Sequence, residues 1–435
     1  MVSFGSSGIR GIFGKDITPD LFLDLGRAVA SRYKRIVLGR DVRLSGKVLS
    51  SAFISGALSS GSTIDDGGMV STPTIAFSAR EYDCGVVVTA SHNPPEYNGI
   101  KFWNSNGIAF NQQQQTEIEE TVHRRTFEIQ PWDRIFESNE REDLAMNHSD
   151  AIINKTESIN LKVVIDCGCG ATSNITPYVL REIGCKVIAL NAQPDGHFPG
   201  RMPEPTEENL ELLRKTVLAS KSDLGIAHDG DGDRVVAVDE KGNYIGGEKL
   251  LLLFAQKTVK KSLVVPVDAS MAIDDILPEA KIFRTRVGDV YVAQEILRHK
   301  ADFGGEPSGT FIFPSWGLFP DGVYGAVYIA TLATKEKLST QIERLPTYPS
   351  KSTSINFEES KRLKVVESLS NALSTLQGVE IDTTDGWRVK YEDGWGLVRL
   401  SGTEPKVRVF AEARDENRTK ELYESLISKV KVGLK

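Results

Sequence analysis

The stretch that decides the fold runs from Gly85 to Pro94 and reads GVVVTASHNP. Its apolar, β-branched start predicts a buried strand, and the Ser-His-Asn-Pro that follows predicts a loop of short polar groups at the strand's end. In α/β sheets, ligands bind at the carboxyl ends of strands. Ser91 is therefore either a nucleophile or part of a polar turn that caps the next helix. This stretch alone leaves both interpretations open, because the Gly-x-Ser-x-Gly elbow of serine hydrolases is absent.

Composition indicates a globular protein of several domains. The chain has 435 residues, of which 40% are hydrophobic and 26% charged, and a length near 150 residues per domain gives about three domains, or four small ones. The net charge is −7, from 52 basic and 59 acidic residues. With no lysine-rich run, this balance argues against a nucleic-acid or membrane surface as partner.

The pattern of cysteines and the lack of a predicted targeting segment indicate the compartment. The sequence predicts neither a signal peptide nor a membrane span. None of the four cysteines forms a Cys-x-x-Cys pair, and each lies in or beside an apolar run. We therefore expect buried thiols in a reducing compartment and a cytoplasmic protein.

The most specific local signal is the loop Asp229–Arg234, which reads DGDGDR and follows the apolar run Leu224–Ala227. Carboxylates at i, i+2 and i+4 fall on one side of an extended backbone, and the glycines let the backbone curl until the oxygens converge. Three hard oxygens suit Mg²⁺. A calcium EF-hand is disfavoured, because Arg234 stands where its loop needs glycine and Val235–Val238 continues as a strand. A purely structural turn is disfavoured because three close carboxylates repel one another.

Three further segments carry candidate anion ligands. Arg10 lies in the glycine- and serine-rich segment Ser3–Gly11, and Lys101 lies in a strand-like segment about ten residues beyond Ser91. Arg399–Arg408 reads RLSGTEPKVR and combines cations, hydroxyls and a glycine, which is typical of a phosphate site. A flexible terminus, a solvated lysine and a solvated basic turn are the respective alternatives.

Glu306 and Ser308 lie in the tight loop Gly305–Gly309, which reads GEPSG. A carboxylate with a hydroxyl suits vicinal sugar hydroxyls, although an ordinary turn remains the alternative. Two other loops have no assigned chemistry. In Gly39–Gly46, cations again follow a strand, and the proline-rich segment Pro194–Pro205 is expected to be surface structure.

Together these motifs resemble those of the α-D-phosphohexomutase family. The four signatures occur in the family's order as the serine loop Thr89–Pro94, the metal loop Asp229–Arg234, the sugar loop Gly305–Gly309 and the phosphate loop Arg399–Pro405. The resemblance implies an α/β fold with three similar mixed-sheet domains and a C-terminal α+β domain around a central cleft. The expected domains are residues 1–150, 151–247, 248–346 and 347–435.

The resemblance also implies a mechanism. Ser91 would be carried as a phosphoserine, and its phosphoryl group would move to and from a hexose phosphate through a 1,6-bisphosphate that also acts as activator. The implied ligands of one Mg²⁺ per chain are Ser91, Asp229, Asp231 and Asp233. The implied catalytic residues are Ser91, Lys101 as general acid/base, Arg10 and Arg234 as charge stabilisers, and His92. The implied substrate-binding residues are Arg286, Glu306, Ser308, Arg399, Ser401, Gly402, Thr403 and Arg408. A monomer or homodimer is expected.

Departures from the family pattern bear on the sugar. Many members carry a histidine after the sugar loop, where this chain has Thr310–Phe313. The sugar loop with Thr310, followed later by Phe319–Gly322, is more similar to archaeal-type phosphoglucosamine mutases than to typical phosphomannomutase/phosphoglucomutases. Conversion of glucosamine 6-phosphate to glucosamine 1-phosphate is therefore expected. A phosphomannomutase/phosphoglucomutase of broad specificity is the alternative. Two other classes stay open: a haloacid-dehalogenase-like phosphatase, with Asp229 as nucleophile, and a non-catalytic sugar-phosphate sensor.

Overall fold

The computed structural model describes residues 4–5, 8–401 and 405–434. Up to residue 154 the elements are β1 (Ile9–Ile12), α1 (Pro19–Ala30), β2 (Arg35–Arg40), α2 (Gly46–Ser59), β3 (Thr63–Met69), α3 (Thr72–Ser78), β4 (Cys84–Val88), β5 (Tyr97–Asn104), α4 (Gln112–Arg124), β6 (Ser138–Glu140) and α5 (Leu144–Asn154). From residue 162 to 258 they are β7 (Lys162–Asp166), α6 (Thr176–Glu182), β8 (Lys186–Leu190), α7 (Glu211–Ser220), β9 (Leu224–His228), β10 (Val235–Val238), β11 (Tyr244–Ile245) and α8 (Gly247–Thr258).

The remaining elements follow the same alternation up to residue 343. They are β12 (Ser262–Pro266), α9 (Ala272–Ile276), β13 (Lys281–Thr285), α10 (Asp289–His299), β14 (Phe303–Gly305), β15 (Phe311–Ile312), α11 (Gly322–Lys335) and α12 (Leu338–Glu343). The last elements are β16 (Ser350–Asn356), α13 (Arg362–Ser374), β17 (Glu380–Asp382), β18 (Trp387–Lys390), β19 (Gly394–Leu400), β20 (Lys406–Ala413) and α14 (Glu416–Gly433).

The first two sheets are mixed and share a plan. The first has the order β1-β5-β4-β2-β3-β6, and the second has the order β11-β10-β9-β7-β8. In each, a parallel core (β3, β2, β4 and β8, β7, β9) is extended by an antiparallel strand, β5 or β10, beside the strand that carries the functional loop. The serine loop and the metal loop therefore leave equivalent strands, β4 and β9.

The other two sheets differ in type. In the third, β12 pairs in parallel with β13 and β14. The fourth has the order β16-β20-β19-β18-β17, and all its pairings are antiparallel. Buried residues of α13 and α14 share one core with this sheet. The predicted α/β class with mixed sheets and a C-terminal α+β portion is confirmed.

The chain forms two compact units. The first contains Met1–Leu251 and Pro307–Glu343, and the second contains Leu252–Glu306 and Arg344–Lys435. The chain thus first passes from one unit to the other within α8. The expected domain boundaries and the expected central cleft stay predictions.

Local sequence accounts for the start of α1 and for its close packing against α2. Thr18 caps α1, since its hydroxyl accepts the Leu21 amide, and Pro19 begins the helix. The helices α1 and α2 cross at Gly26 and Gly56, where a Cβ would lie 2.2 Å and 2.0 Å from backbone oxygens of the facing helix. Only glycine permits this close approach.

All four cysteines are free and buried, as predicted. Burial raises the pKa of Cys84 well above its ordinary value, so this thiol stays protonated. None of the helices in the described part of the chain has the length and hydropathy needed to cross a membrane.

One expectation about the loops was wrong. The segment Pro194–Pro205 is not simply surface structure, because Phe198 and Arg201 are buried within it. The Arg201 guanidinium is neutralised by Asp166 at 3.1 Å. A buried cation of this kind is not apparent from a proline- and glycine-rich composition.

Asp321 ties three elements of the first unit together. Its Oδ1 accepts the amides of Val323 and Tyr324 at the start of α11, and its Oδ2 accepts Trp316 Nε1 at 2.7 Å. The same Oδ2 lies 2.9 Å from His148 Nε2 of α5. Burial raises the pKa of the Asp321 carboxyl, but His148 and the hydrogen bonds from Tyr324 and Trp316 outweigh burial and hold it below its ordinary value.

We expect Asp321→Ala to destabilise the first unit by about 3–5 kcal/mol, because it leaves the buried ring nitrogens of His148 and Trp316 without their hydrogen-bond partner. Thr18→Ala removes one helix cap and is the control, with an expected loss of about 1 kcal/mol. Urea unfolding followed by circular dichroism measures both losses. Equal losses would show that the Asp321 contacts add nothing beyond a cap.

Candidate active site

Ser91 lies in a strained backbone conformation three residues beyond β4. Its φ is 51°, in the left-handed region, which costs a residue with a Cβ on the order of 1–3 kcal/mol. The Ser91 amide donates to Thr89 Oγ1 at 2.8 Å, and the Asn93 amide donates to Ala90 O at 3.0 Å. The Ser91 hydroxyl donates to Asp229 Oδ2 at 2.7 Å. The strained turn thus aims the hydroxyl at the metal loop.

The three carboxylates of the metal loop converge. Asp229, Asp231 and Asp233 are buried, and each offers an oxygen within 4.8 Å of the others. Glycine at 232 has φ 81°, which lets the loop turn between β9 and β10. Burial, followed by the neighbouring carboxylates, raises the pKa of Asp229 well above its ordinary value and also raises that of Asp233. Such a cluster is costly unless a cation joins it.

The donor set fits a magnesium ion. Within the described residues, the buried atoms Asp231 Oδ1 and Asp233 Oδ1 have no hydrogen-bond partner. An orphaned carboxylate oxygen in a protein interior calls for a ligand. Hard oxygens from three carboxylates and a serine match the preference of Mg²⁺. Asp229, Asp231 and Asp233 would hold the ion, and Ser91, whose hydroxyl reaches Asp229, stays a predicted fourth ligand.

Lys101 lies inside this cluster and is not solvated. It pairs with Val87 across β4 and β5, and its Nζ lies 2.9 Å from Asp231 Oδ2 and 2.6 Å from Asp233 Oδ2. Burial lowers the pKa of the Lys101 ammonium, but the two carboxylates outweigh burial and hold it above its ordinary value. The same ion pair helps to hold the pKa of Asp231 below its ordinary value despite burial.

The other residues assigned to phosphoryl transfer lie in the same unit. Arg10 Nη1 lies 3.4 Å from Asn93 Oδ1 in the serine loop. The Arg234 amide donates to Asp229 Oδ1 at 3.3 Å, and its guanidinium pairs with Glu204 at 3.3 Å. His92 Nδ1 lies 3.3 Å from the Ser91 hydroxyl. Burial, together with the Arg234 and Arg10 charges, lowers the pKa of His92 to about 2, so its imidazole is neutral.

The sugar loop is divided between the units at Glu306 and Pro307. In the second unit, Glu306 is buried and its Oε1 accepts the Gly288 amide at 2.8 Å. Arg286 of the same unit lies 4.7 Å from the centroid of the Tyr291 ring. In the first unit, the Ser308 hydroxyl lies 3.3 Å from Thr310 Oγ1.

The predicted phosphate site lies in the second unit. Arg399 and Arg408 are direct cross-strand partners on β19 and β20. Like charges opposite each other destabilise a sheet unless an anion or a carboxylate compensates, and Asp385 accepts Arg399 Nε at 2.7 Å. The Ser401 amide donates to Lys406 O at 2.8 Å. The predicted residues Gly402 and Thr403 lie outside the described residues.

Sequence reasoning missed several residues that hold the site. Thr72 Oγ1 donates to Asp231 Oδ2 at 2.6 Å, and Thr89 Oγ1 donates to Asp41 Oδ2 at 2.7 Å. Buried Arg43 and Arg201 bind backbone carbonyls of the serine loop and of the metal-loop strand. The signal for Asp41 and Arg43 was their position directly after strand β2, in a loop to which no chemistry was assigned.

Family models match most of the chain. Residues 1–129, 145–242 and 246–348 match the models of phosphoglucomutase/phosphomannomutase alpha/beta/alpha domains I, II and III. Residues 354–429 match the model of the phosphoglucomutase/phosphomannomutase C-terminal domain.

Individual proteins resemble the chain over its whole length. A probable phosphoglucosamine mutase of Methanocella arvoryzae is 48% identical over 99% of this chain and 98% of its own. A phosphoglucosamine mutase of Methanocaldococcus jannaschii is 41% identical over 99% of this chain and 98% of its own. Among solved structures, a phosphoglucomutase/phosphomannomutase family protein of Burkholderia thailandensis is 28% identical, with a TM-score of 0.89 over 100% of this chain and 99% of that one.

We expect Mg²⁺ to raise the thermal midpoint of the protein by roughly 5–10 °C at about a hundredfold excess over its dissociation constant, since it binds only the folded state. Asp231→Asn removes a carboxylate of the triad and should abolish this shift. Asp239→Asn is the matched control, because it removes a buried carboxylate that lies outside the triad, in the turn between β10 and β11. Differential scanning fluorimetry with and without Mg²⁺ measures the shift. A shift retained in Asp231→Asn would contradict the metal assignment.

Proposed function

Because the chain belongs to the phosphoglucomutase/phosphomannomutase family and is an intramolecular phosphotransferase, we propose that it interconverts glucosamine 6-phosphate and glucosamine 1-phosphate through a phosphorylated Ser91. The relatives named phosphoglucosamine mutase support this choice of sugar. A phosphomannomutase/phosphoglucomutase of broad specificity remains the second candidate, favoured by the name of the Burkholderia structure.

The observation that carries the proposal is the hydrogen bond from the Ser91 hydroxyl to Asp229 at 2.7 Å within a buried triad of carboxylates. A hydroxyl capping a helix would not require a strained backbone or a neighbouring acidic cluster. A hydroxyl that carries a phosphoryl group beside a divalent cation requires both an aimed oxygen and hard ligands.

The proposed transfer balances as a phosphoryl exchange between two oxygens. The free hydroxyl of the sugar phosphate forms a new P–O bond, the bond from phosphorus to Ser91 Oγ breaks, and the hydroxyl proton leaves as Ser91 Oγ gains one. The product is a hexose 1,6-bisphosphate, which returns its other phosphoryl group to Ser91 after it reorients. The same bisphosphate, supplied free, would phosphorylate a dephosphorylated enzyme and so act as its activator.

The residues around Ser91 take complementary roles. Lys101 is assigned the proton transfer, because it lies one strand from the serine loop. Its ion pairs with Asp231 and Asp233 keep the ammonium protonated, so it is placed to act as the acid. Arg10 and Arg234 offset charge on the transferred group, and neutral His92 offers a hydrogen bond beside Ser91. When bound, Mg²⁺ would neutralise charge that develops on the phosphoryl oxygens.

Binding of the rest of the substrate is assigned to the sugar and phosphate loops. Opposed Arg399 and Arg408 form a cationic pair suited to a phosphate dianion, with Ser401, Gly402 and Thr403 as further ligands. Glu306 and Ser308 are assigned to the sugar hydroxyls, and Arg286 to substrate binding. One phosphate site then serves both orientations of the bisphosphate. A cytoplasmic monomer or homodimer stays the expectation.

We expect glucosamine 6-phosphate to be converted at least about tenfold more efficiently, in kcat/KM, than glucose 6-phosphate or mannose 6-phosphate, since contacts to one polar substituent give discrimination of this order or more. Phosphorus NMR of the three reactions, each with Mg²⁺ and a trace of the matching 1,6-bisphosphate, measures the rates. Equal or higher rates with glucose or mannose would favour the broad phosphohexomutase.

We expect Ser91→Ala to lose all detectable mutase activity while its circular dichroism spectrum stays that of the wild type, because the only group proposed to form the covalent intermediate is gone. Wild-type protein incubated with labelled hexose 1,6-bisphosphate should retain label on Ser91, as tested by mass spectrometry. Phosphatase activity retained in Ser91→Ala would instead point to Asp229 as nucleophile. Ligand binding without any label on wild-type Ser91 would indicate a sensor.

A further inference from the structure

Two buried arginine–aspartate pairs occupy matching places in the first and second sheets. Asp41 directly follows β2 and pairs with Arg43 at 3.0 Å, and Asp166 ends β7 and pairs with Arg201 at 3.1 Å. Strand β2 lies beside β4 in parallel, and β7 lies beside β9 in parallel. Each pair is therefore anchored on the strand next to the one that carries a functional loop.

Arg43 binds the backbone of the serine loop. Its Nη2 donates to Ser91 O at 2.9 Å and to Asn93 O at 2.6 Å, and its Nη1 donates to Tyr97 O at 2.9 Å and to Pro94 O. The side chain is 0% exposed. Four carbonyls on one guanidinium fix the turn in which Ser91 adopts its left-handed conformation, and charged donors make such hydrogen bonds strong.

Arg201 acts in the same way on the metal loop. Its Nη2 donates to His228 O at 2.6 Å, and its Nη1 donates to Met202 O at 3.0 Å and to Pro203 O at 3.2 Å. The His228 carbonyl belongs to the peptide that joins His228 to Asp229. Its orientation therefore sets the direction in which the first carboxylate of the triad leaves the backbone.

The segment Pro194–Pro205, called here the strap, connects the two arginines. It contains Arg201 and also Phe198, whose ring centroid lies 5.3 Å from the Arg43 guanidinium. At Gly230 of the metal loop a Cβ would lie 2.6 Å from Ser91 O and 3.5 Å from the Phe198 ring. The serine loop, the metal loop and the strap thus pack in direct contact.

We infer that Arg43 and Arg201 are positioning residues, and that the strap holds the serine loop and the metal loop in register so that Ser91 Oγ faces Asp229. This inference deepens the proposed phosphoryl transfer and rests on it. Neither guanidinium is assigned to the substrate, since both are neutralised by their own aspartates and saturated by backbone carbonyls. Their effect passes through the backbone to the reacting hydroxyl and to the carboxylates.

Arg43→Lys tests the positioning of the serine loop, because lysine keeps the positive charge and loses the planar guanidinium that reaches four carbonyls. We expect kcat, expressed per mole of phosphorylated Ser91, to fall about 10–100-fold with KM unchanged, as for a misplaced reacting group. Arg141→Lys is the matched control, since Arg141 is ion-paired with Asp65 and Asp143 in the same unit. A loss of folded protein alone would lower the amount of enzyme and leave kcat per phosphorylated Ser91 unchanged.

Arg201→Lys tests the positioning of the metal loop by a binding measurement that needs no catalysis. Isothermal titration of dephosphorylated protein with Mg²⁺ should show a dissociation constant raised about 10–100-fold, with Arg141→Lys unchanged. Phe198→Leu leaves both ion pairs in place and removes only the ring over Arg43, so it provides a second variant if Arg43→Lys does not fold. It should lower kcat about threefold or more.

The outcomes separate the inference from the function it rests on. If wild-type protein shows no mutase activity but Arg201→Lys weakens Mg²⁺ binding, the proposed function falls and the metal half of the positioning role stands. If wild-type protein is active and the variants at Arg43, Phe198 and Arg201 match Arg141→Lys in kcat and in Mg²⁺ affinity, the inference is overturned.

Discussion

Repulsion among three buried carboxylates is the interaction on which the rest of the first unit depends. Asp229, Asp231 and Asp233 are buried, and each offers a carboxylate oxygen within 4.8 Å of the others. A structure can hold such a cluster only if cations and donors surround it, and Lys101 supplies the direct ion pairs. The antiparallel strand β5, placed beside β4, is what brings Lys101 to the cluster. The order of strands in the first sheet therefore determines which positive charge lies beside the three carboxylates.

The serine loop shows how strain is maintained at such a site. A left-handed serine persists only where the surroundings determine the backbone more strongly than the residue's own preference. Three contacts fix Ser91: its amide donates to Thr89, its carbonyl accepts from Arg43, and its hydroxyl donates to Asp229. The strain and the three contacts together give the hydroxyl one direction, which a flexible polar turn would not provide.

Sequence reasoning found the features that local composition encodes and missed those that depend on distant backbone. The strands before Ser91 and Asp229, the alternating aspartates and the buried cysteines all follow from short runs of residues, and the structure has them where predicted. The partners of Arg43 and Arg201 are backbone carbonyls, which every residue possesses, so no residue type marks them. Composition also suggested that the segment around Phe198 was exposed. This expectation failed because prolines and glycines are as compatible with a packed strap as with a surface loop.

The division of the chain into two compact units has a consequence for its synthesis. The first unit is completed by Pro307–Glu343, which lies far downstream of the metal loop. The Val235 amide donates to Gly309 O at 3.0 Å, and the Gly322 amide donates to Gly232 O at 3.1 Å, so the hairpin that carries the triad draws hydrogen bonds from this late segment. At about 5–20 residues per second, the ribosome delivers Glu343 roughly 5–20 s after Arg234. During that interval the hairpin that carries the three aspartates lacks the hydrogen bonds to Gly309 and Gly322, so the first unit reaches its final structure only after residues 307–343 have been made.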